Sequence, residues 1–408
     1  MNVGLMRFVD AFVGLPACLV CSAGVGIKRL FIKPSDKLGT KLLLIKLSEL
    51  GANIMLGDMV RTLRATYTRE NTWFMAFDES EAILRQMDFV PPENLLLVST
   101  KGLAGFLGSL LRALWRVRRA GVDTSIDLEF FSRASTLIAL FSGARRRVGI
   151  HPYYGEGSYR GTLATHGVKF NPHLHISQMF GIMAAASAQP YGVLQRIDYI
   201  PPPVAPIKER FTPTDAERAS VKALFETCGW QPNERIVLLN ANTSDRELIP
   251  LRRWGEERYA EVARQLLAQC PDIRILLTGA PKETAGIEAL EKLVNSPRCK
   301  SVAGKTNLRE LFTLYTLSEV MVTNDSGPAH FAALTDMAVI VLFGPETPQL
   351  WRPLGRRVRV IYRGLGCSPC FSVYNGRRSG CRNNLCMDIN PEVVTAAVKD
   401  VLAESKGI

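Results

Sequence analysis

Between Val320 and Pro345 the chain reads as apolar run, polar loop, short helix, apolar run, and that order leaves few folds open. Val320 to Thr323 has the length and β-branched content of a buried strand, and Ala338 to Phe343 repeats it. Between them stands Asn324-Asp325-Ser326-Gly327-Pro328-Ala329-His330. Pro328 suits the first helical position, where its missing N–H costs nothing. Asp325 and Ser326 can cap the same helix. A helix that begins here points its N-terminus at the carboxyl edge of a parallel sheet, where phosphates bind through unpaired amides and the helix dipole. His330 falls within the first turn, beside the same spot.

The rest of the chain extends the pattern. Leu42 to Leu47, Trp73 to Phe77 and Ser125 to Leu128 read as strands, and Ile54 to Ala65, Leu103 to Arg119 and Ser132 to Phe141 as helices. Pro201-Pro202-Pro203 and Pro206 mark a stiff boundary. After it, Ile236 to Leu239 and Ile273 to Thr278 read as strands, and Glu256 to Ala268 and Pro391 to Ser405 as helices. Leu308, Leu311, Phe312 and Tyr315 share one helical face. Such alternation predicts βα units on parallel sheets. The expected organisation is an N-terminal segment (1–40), a first α/β domain (41–200) and a second (201–408), with a cleft between the two domains.

The 408 residues are 47 % apolar and 22 % charged, as for a globular chain, and the net charge of +12 favours anionic partners. Basic groups recur at Arg112, Arg116, Arg118 and Arg119 and at Arg145-Arg146-Arg147, each read as a solvated face or turn. No nucleic-acid motif accompanies them, so a nucleic-acid partner is not expected. Ala11 to Ile27 carries no charge and is followed by Lys28-Arg29. Seventeen residues interrupted by Pro16 are short for a membrane span. The preferred reading is an interfacial anchor on an anionic membrane surface. A helix packed on the first domain is the rival, and an exported signal segment is set aside.

The run from Thr323 to His330, with Phe343-Gly344-Pro345 and Trp351, resembles the donor-site signature of glycosyltransferase family nine, the heptosyltransferases of lipopolysaccharide assembly. The resemblance spans about Lys41 to Ile389. It implies two Rossmann-like halves (the GT-B arrangement), an ADP-sugar donor such as ADP-heptose, a glycolipid or glycan acceptor, inverting chemistry without a catalytic cofactor, and work at the cytoplasmic face of the inner membrane. Donor-site candidates are Asp325, Ser326, Gly327 and His330 of the signature, and Asn242 and Ser244 after the first strand of the second domain. Arg252 in Leu251-Arg252-Arg253-Trp254 resembles the family's basic-x-Trp element near the donor phosphates. Glu283, after Thr278-Gly279-Ala280, is positioned for ribose hydroxyls or for capping a helix.

In the other half, Ile45-Lys46-Leu47-Ser48-Glu49-Leu50-Gly51 resembles the family's opening strand and turn, with Ser48 an acceptor candidate. Many members follow that Gly with a catalytic Asp, but this chain has Ala52. Inversion needs a base near the acceptor hydroxyl. Asp127 and Glu129 share one face of a strand by alternation. Desolvation by Leu128, Phe130 and Phe131 would favour the protonated form of Glu129. Glu129 is the first choice for the base, Asp127 its neighbour and Glu49 the rival. Tyr159, Arg160 and His166 lie in a stretch rich in Gly, Tyr and His that suits sugar recognition and serve as acceptor candidates.

Cys367-x2-Cys370-x10-Cys381-x4-Cys386 is compact, and its spacing suits a structural tetrahedral zinc. Two disulfides, four reduced thiols or an iron–sulfur cluster remain open on spacing alone. For the whole chain, an inverting glycosyltransferase stands first. A nucleotide-sugar epimerase on a similar scaffold and a catalytically degenerate binding protein are the alternatives.

Overall fold

The computed structural model describes residues 3–31, 37–130, 132–151, 158–191, 197–242, 250–372 and 379–404. The chain forms two compact units, one built on Met1–Val204 and the other on Ala205–Phe371 with Ser379–Ile408.

The first unit holds a six-stranded sheet of β1 (Leu42–Ile45), β2 (Thr72–Phe77), β3 (Leu95–Val98), β4 (Thr124–Asp127), β5 (Arg146–Ile150) and β6 (His166–Val168). Their order is β3-β2-β1-β4-β5-β6, and every pairing is parallel. The second unit repeats it with β7 (Arg235–Asn240), β8 (Ile273–Leu277), β9 (Cys299–Ser301), β10 (Val320–Asn324), β11 (Ala338–Phe343) and β12 (Val358–Tyr362). Its order, β9-β8-β7-β10-β11-β12, is the same winding, again all parallel. The α/β class expected from the sequence is the class found.

Central strands are continuous apolar runs because helices cover both faces of a parallel sheet. Val237, Leu239, Val320, Val322, Ile340 and Leu342 sit in one core with Tyr259, Ala263 and Leu266 of the helix Glu256–Gln269. In both units the strand order reverses between neighbours, at β1/β4 and at β7/β10. At such a point the connections diverge to opposite faces and leave a crevice at the carboxyl ends.

Several elements were not visible beforehand. Arg146 and Arg147 open β5 rather than lie on a solvated turn. Arg146 is buried and donates to the carbonyls of Ser187 (3.1 Å) and Gln189 (2.6 Å). Arg147 donates to Leu163 and Ala144, and burial, then the charge of Arg29, lowers it to about 10.

The N-terminal residues form two helices, Val3–Phe12 and Gly14–Phe31. Among the described residues, Phe8–Phe31 is the one helical stretch long and apolar enough to cross a membrane by length and composition. It is also tied to the first unit. The Asp10 carboxylate accepts from the backbone amides of Arg133 (2.7 Å) and Ala134 (2.9 Å) and pairs with the Arg133 guanidinium, so it caps the helix Arg133–Phe141. Arg29 donates to the Thr162 carbonyl, and Ser22 accepts from the Thr162 amide. Gly161 makes this seat possible: its φ is +66°, and a Cβ there would stand 1.9 Å from Ser22 Oγ.

Candidate functional site

Two clusters of polar side chains stand at the two reversal points. In the first unit the register sets Ile45 beside Asp127, so the residues after β1 meet those after β4. Lys46 follows β1 and is fully buried. Its ammonium donates to Glu129 Oε1 (3.2 Å), Glu49 Oε2 (3.1 Å) and the Ser48 carbonyl (2.8 Å). Burial pushes this lysine down, but the charges of Glu129 and Glu49 and their hydrogen bonds outweigh it, and Lys46 is held above its ordinary value. Glu129 also accepts from the Ser48 amide (2.8 Å) and hydroxyl (3.2 Å).

Glu129 is therefore not a carboxyl isolated among aromatics. It lies past the end of β4, 3 % exposed, ion-paired and hydrogen-bonded. Phe131, expected to desolvate it, lies outside the described residues. Asp127 does not share its surroundings. The Asp127 carboxylate accepts from Ser135 Oγ and Thr136 Oγ1 (both 2.9 Å) and from the Glu129 amide (3.1 Å). Burial raises it above the usual carboxylate range, against the opposing charge of Arg160 at 3.7 Å. Glu49 differs from both. It holds φ +65°, an uncommon conformation for a side-chain-bearing residue, and its side chain is 19 % exposed. Ala52 is buried in the short helix Leu50–Ile54.

In the second unit the signature loop leaves β10 at the switch point. Its helix, Gly327–Phe331, is a single turn with Pro328 as second residue. Ser326 sits at the N-cap, but its hydroxyl is 3.4 Å from Thr323 Oγ1 and makes no cap bond. Asn324 locks the loop in place: its amide donates to the Ala241 carbonyl (2.9 Å), and its oxygen accepts from the Trp254 amide (3.2 Å). Asn240 donates to Thr278 Oγ1 (3.0 Å), which ties the ends of β7 and β8 together.

Arg252 is not a solitary cation awaiting phosphate. It donates to the Asp325 carbonyl (3.1 Å), lies 3.6 Å from the Asp325 carboxylate and pairs with Glu346 at 3.3 Å. All three side chains are buried. The arginine thus fastens the loop after β10 to the residue after β11. Asn242 stands beside Gly279, whose added Cβ would lie 3.2 Å from Asn242 Nδ2. That nitrogen is buried and has no partner among the described residues. His330 is buried within the single helical turn. Ser244 lies outside the described residues. Glu283 takes the capping alternative, its Oε2 accepting from the Ala280 amide at 2.7 Å.

The chain matches glycosyltransferase family 9 (heptosyltransferase) over residues 132–377. It belongs to glycosyltransferase family 9. It is 28 % identical over 367 residues to lipooligosaccharide heptosyltransferase 2 of Haemophilus influenzae, covering 89 % of this chain and 99 % of that protein. It is 26 % identical over 371 residues to lipopolysaccharide heptosyltransferase 2 of Salmonella typhimurium, with the same coverage. Its fold is similar to that of E. coli ADP-heptose LPS heptosyltransferase II, with TM-score 0.66 and 21 % identity over 90 % of this chain and all of that one. A family 9 glycosyltransferase from Veillonella parvula superposes with TM-score 0.67 at 16 % identity, over 91 % of this chain and 99 % of that one.

For a family 9 glycosyltransferase, the acceptor candidates separate sharply. Ser48 lies in the Lys46–Glu129 cluster, and Tyr159 is exposed. Arg160 is buried: it faces Asp127 and donates to the Glu129 carbonyl at 2.7 Å. His166 is buried between Arg146, Thr165 and the Gln189 carbonyl. Both side chains are buried in the first unit.

The cysteine loop does not show the expected zinc. Among the described residues no three His, Cys, Asp or Glu groups are gathered to hold a metal. Cys367, Cys370, Cys381 and Cys386 are free thiols, two exposed, one half-buried and one buried. A tetrahedral site needs all four sulfurs around one point. The loop instead packs on Phe343-Gly344-Pro345: the amides of Cys370 and Phe371 donate to the Pro345 carbonyl at 3.0 and 2.9 Å. Gly344 is required by this approach, since a Cβ there would lie 2.3 Å from Met387 Sδ.

Sequence reasoning missed Lys46 and Glu346. Each left a signal: a lysine that ends an apolar run, and an acid directly after a parallel strand and its Gly-Pro.

Proposed function

We propose that this glycosyltransferase moves a heptose from ADP-heptose to a lipopolysaccharide-type acceptor with inversion, at the cytoplasmic face of the inner membrane. The observation that carries this reading is the signature loop at the switch point of the second sheet, fixed by Asn324, Arg252 and Glu346 beside the unpaired Asn242 amide. A nucleoside diphosphate placed at that edge meets backbone amides and the Asn242 donor, while Arg252 keeps the loop in shape. His330 and Ser326 complete the donor side. The names of the relatives supply the sugar and the acceptor class.

At the first switch point, Glu129 is the general base. Lys46 and Ser48 hold its carboxyl group in place, and a proton taken from an acceptor hydroxyl passes to Glu129 as the glycosidic bond forms and ADP leaves. Asp127 and Arg160 position the loop through Ser135, Thr136 and the Glu129 backbone. Glu49 is the second reading, favoured by its greater exposure and strained backbone at the same edge.

The test is transfer from ADP-heptose to a lipopolysaccharide core lacking its last heptose, read by the mass of the product. Glu129→Gln is expected to lower turnover roughly 10²–10⁴-fold with donor affinity kept. If Glu49→Gln carries that loss and Glu129→Gln does not, the base is Glu49. Donor binding without transfer by the parent chain supports the scaffold alternative, and an altered sugar nucleotide formed without acceptor supports the epimerase. The membrane placement rests on the N-terminal helix pair, which turns Phe12, Val20, Ile27 and Leu30 outward while Asp10, Ser22 and Arg29 hold it to the first unit. Recovery of the full chain in the soluble fraction at low salt would overturn it.

A further inference from the structure

The helix Gly102–Ala120 carries more apolar surface than the fold uses. Ala113 and Val117 are buried in the core of the first unit, with Phe106, Leu110 and Leu114 packed against it. Those positions form a complete helical stripe at spacings of three and four, enough to bind a helix to a sheet. A second stripe stands beside it in solvent: Leu103, Leu107, Leu111 and Trp115, exposed to 63, 47, 65 and 58 %. Four large apolar side chains at successive i,i+4 positions form a row, unlike the scattered exposed residues ordinary on a protein surface.

The charges along the helix itself have one sign, and the acids Asp78 and Glu79 meet Thr100 just before its first turn. Lys101, Arg112, Arg116, Arg118 and Arg119 are exposed, and no Asp or Glu occurs between Glu93 and Asp123. The Arg119 guanidinium lies over the Trp115 ring at 5.3 Å, which sets an indole and a cation side by side. Trp favours the membrane–water interface, and a basic flank favours anionic headgroups. An apolar row rimmed by cations complements an anionic lipid surface. Ala113 and Val117 share their core cluster with Ile138 and Ala139 of the helix Arg133–Phe141. That helix is the one capped by Asp10 of the N-terminal pair.

We propose that the helix Gly102–Ala120 is a second membrane-docking element of the first unit, lying in the plane of an anionic bilayer with Leu103, Leu107, Leu111 and Trp115 below the headgroups and Arg112 and Arg119 at their level. This deepens the membrane placement proposed above and identifies a contact separate from the N-terminal pair.

The probe is the full chain added to phosphatidylglycerol vesicles carrying bromine on the acyl chains, with tryptophan emission as readout. Trp115 is the exposed tryptophan, Trp254 and Trp351 are buried, and Trp73 and Trp230 are half-buried. Emission should be quenched on binding, and Trp115→Phe should remove most of that quenching with vesicle co-sedimentation retained. Leu111→Glu, on the solvent side of the helix, should weaken vesicle partitioning roughly tenfold without unfolding the chain. Binding with quenching unchanged in Trp115→Phe overturns the docking helix while leaving the N-terminal placement intact. Absence of binding overturns both. A concentration-dependent dimer that Leu111→Glu dissolves would assign the row to a second copy and overturn the lipid surface.

Discussion

The two units solve one problem with different cations. Each places a buried positive charge between two carboxylates at the point where its strand order reverses. In the first unit Lys46 lies between Glu129 and Glu49. In the second Arg252 lies between Asp325 and Glu346. The ammonium is a compact point charge that also reaches the Ser48 carbonyl, and one of its acids keeps contact with solvent. The guanidinium is planar and spans two loops, and both of its acids are buried. The first arrangement leaves one of its carboxylates, Glu49, in contact with solvent. The second joins the loop after β10 to the loop after β11.

The largest expected effect comes from removing the cations. Arg252→Met takes a buried cation away from the buried carboxylates of Asp325 and Glu346 and should cost about 3–5 kcal/mol in denaturant unfolding. Lys46→Met should fall below that, because Glu49 can turn to water. Equal losses would erase the distinction between the two clusters, and a larger loss at Lys46 would reverse it.

Alkaline unfolding sharpens the same contrast. Lys46 is held above its ordinary value of 10.5 in the fold. Its contribution is complete below that unfolded value and is lost as pH rises through the higher folded one. The stability gap between the parent and Lys46→Met should therefore hold up to about pH 10.5 and shrink above it. The gap between the parent and Arg252→Met should not shrink there, since a guanidinium keeps its proton. A Lys46 gap that persists at high pH would mean that the variant lost packing rather than charge.

The smallest effect concerns how the first unit differs from the second in carrying an N-terminal helix pair. Asp10→Ala removes a cap on the helix Arg133–Phe141 and should cost about 1 kcal/mol. It should also raise hydrogen exchange at the start of that helix. Unchanged exchange there would make the pair a passive appendage, not part of the unit that carries Glu129.

Much of this was legible in the chain. Ala338 to Phe343 was bounded correctly because six apolar residues, half of them β-branched, between a turn and Gly-Pro are too short for a typical helix and suit an interior parallel strand. The capping box of Asn307 and Glu310 accompanies the helix announced by Leu308, Leu311, Phe312 and Tyr315. β5 was hidden by Arg146 and Arg147, whose charges suggest solvent until Ser187, Gln189 and Leu163 supply carbonyls for them. β9 was hidden by its length, since Cys299-Lys300-Ser301 has no period to detect.

Local pattern determined the alternation of strands and helices in both halves and the family signature, because buried parallel strands are mostly apolar and a helix entered through Ser-Gly-Pro declares itself. What local pattern could not determine is which charges meet. Lys46 and Glu129 are 83 positions apart, and Arg252 and Glu346 are 94. Only the closing of each sheet brings them within hydrogen-bond reach and out of water. There a charge that would be ordinary on the surface must find a partner or not be buried at all. That is why the chain alone did not show Arg252 held by Asp325 and Glu346, or Glu129 held by Lys46 and Ser48.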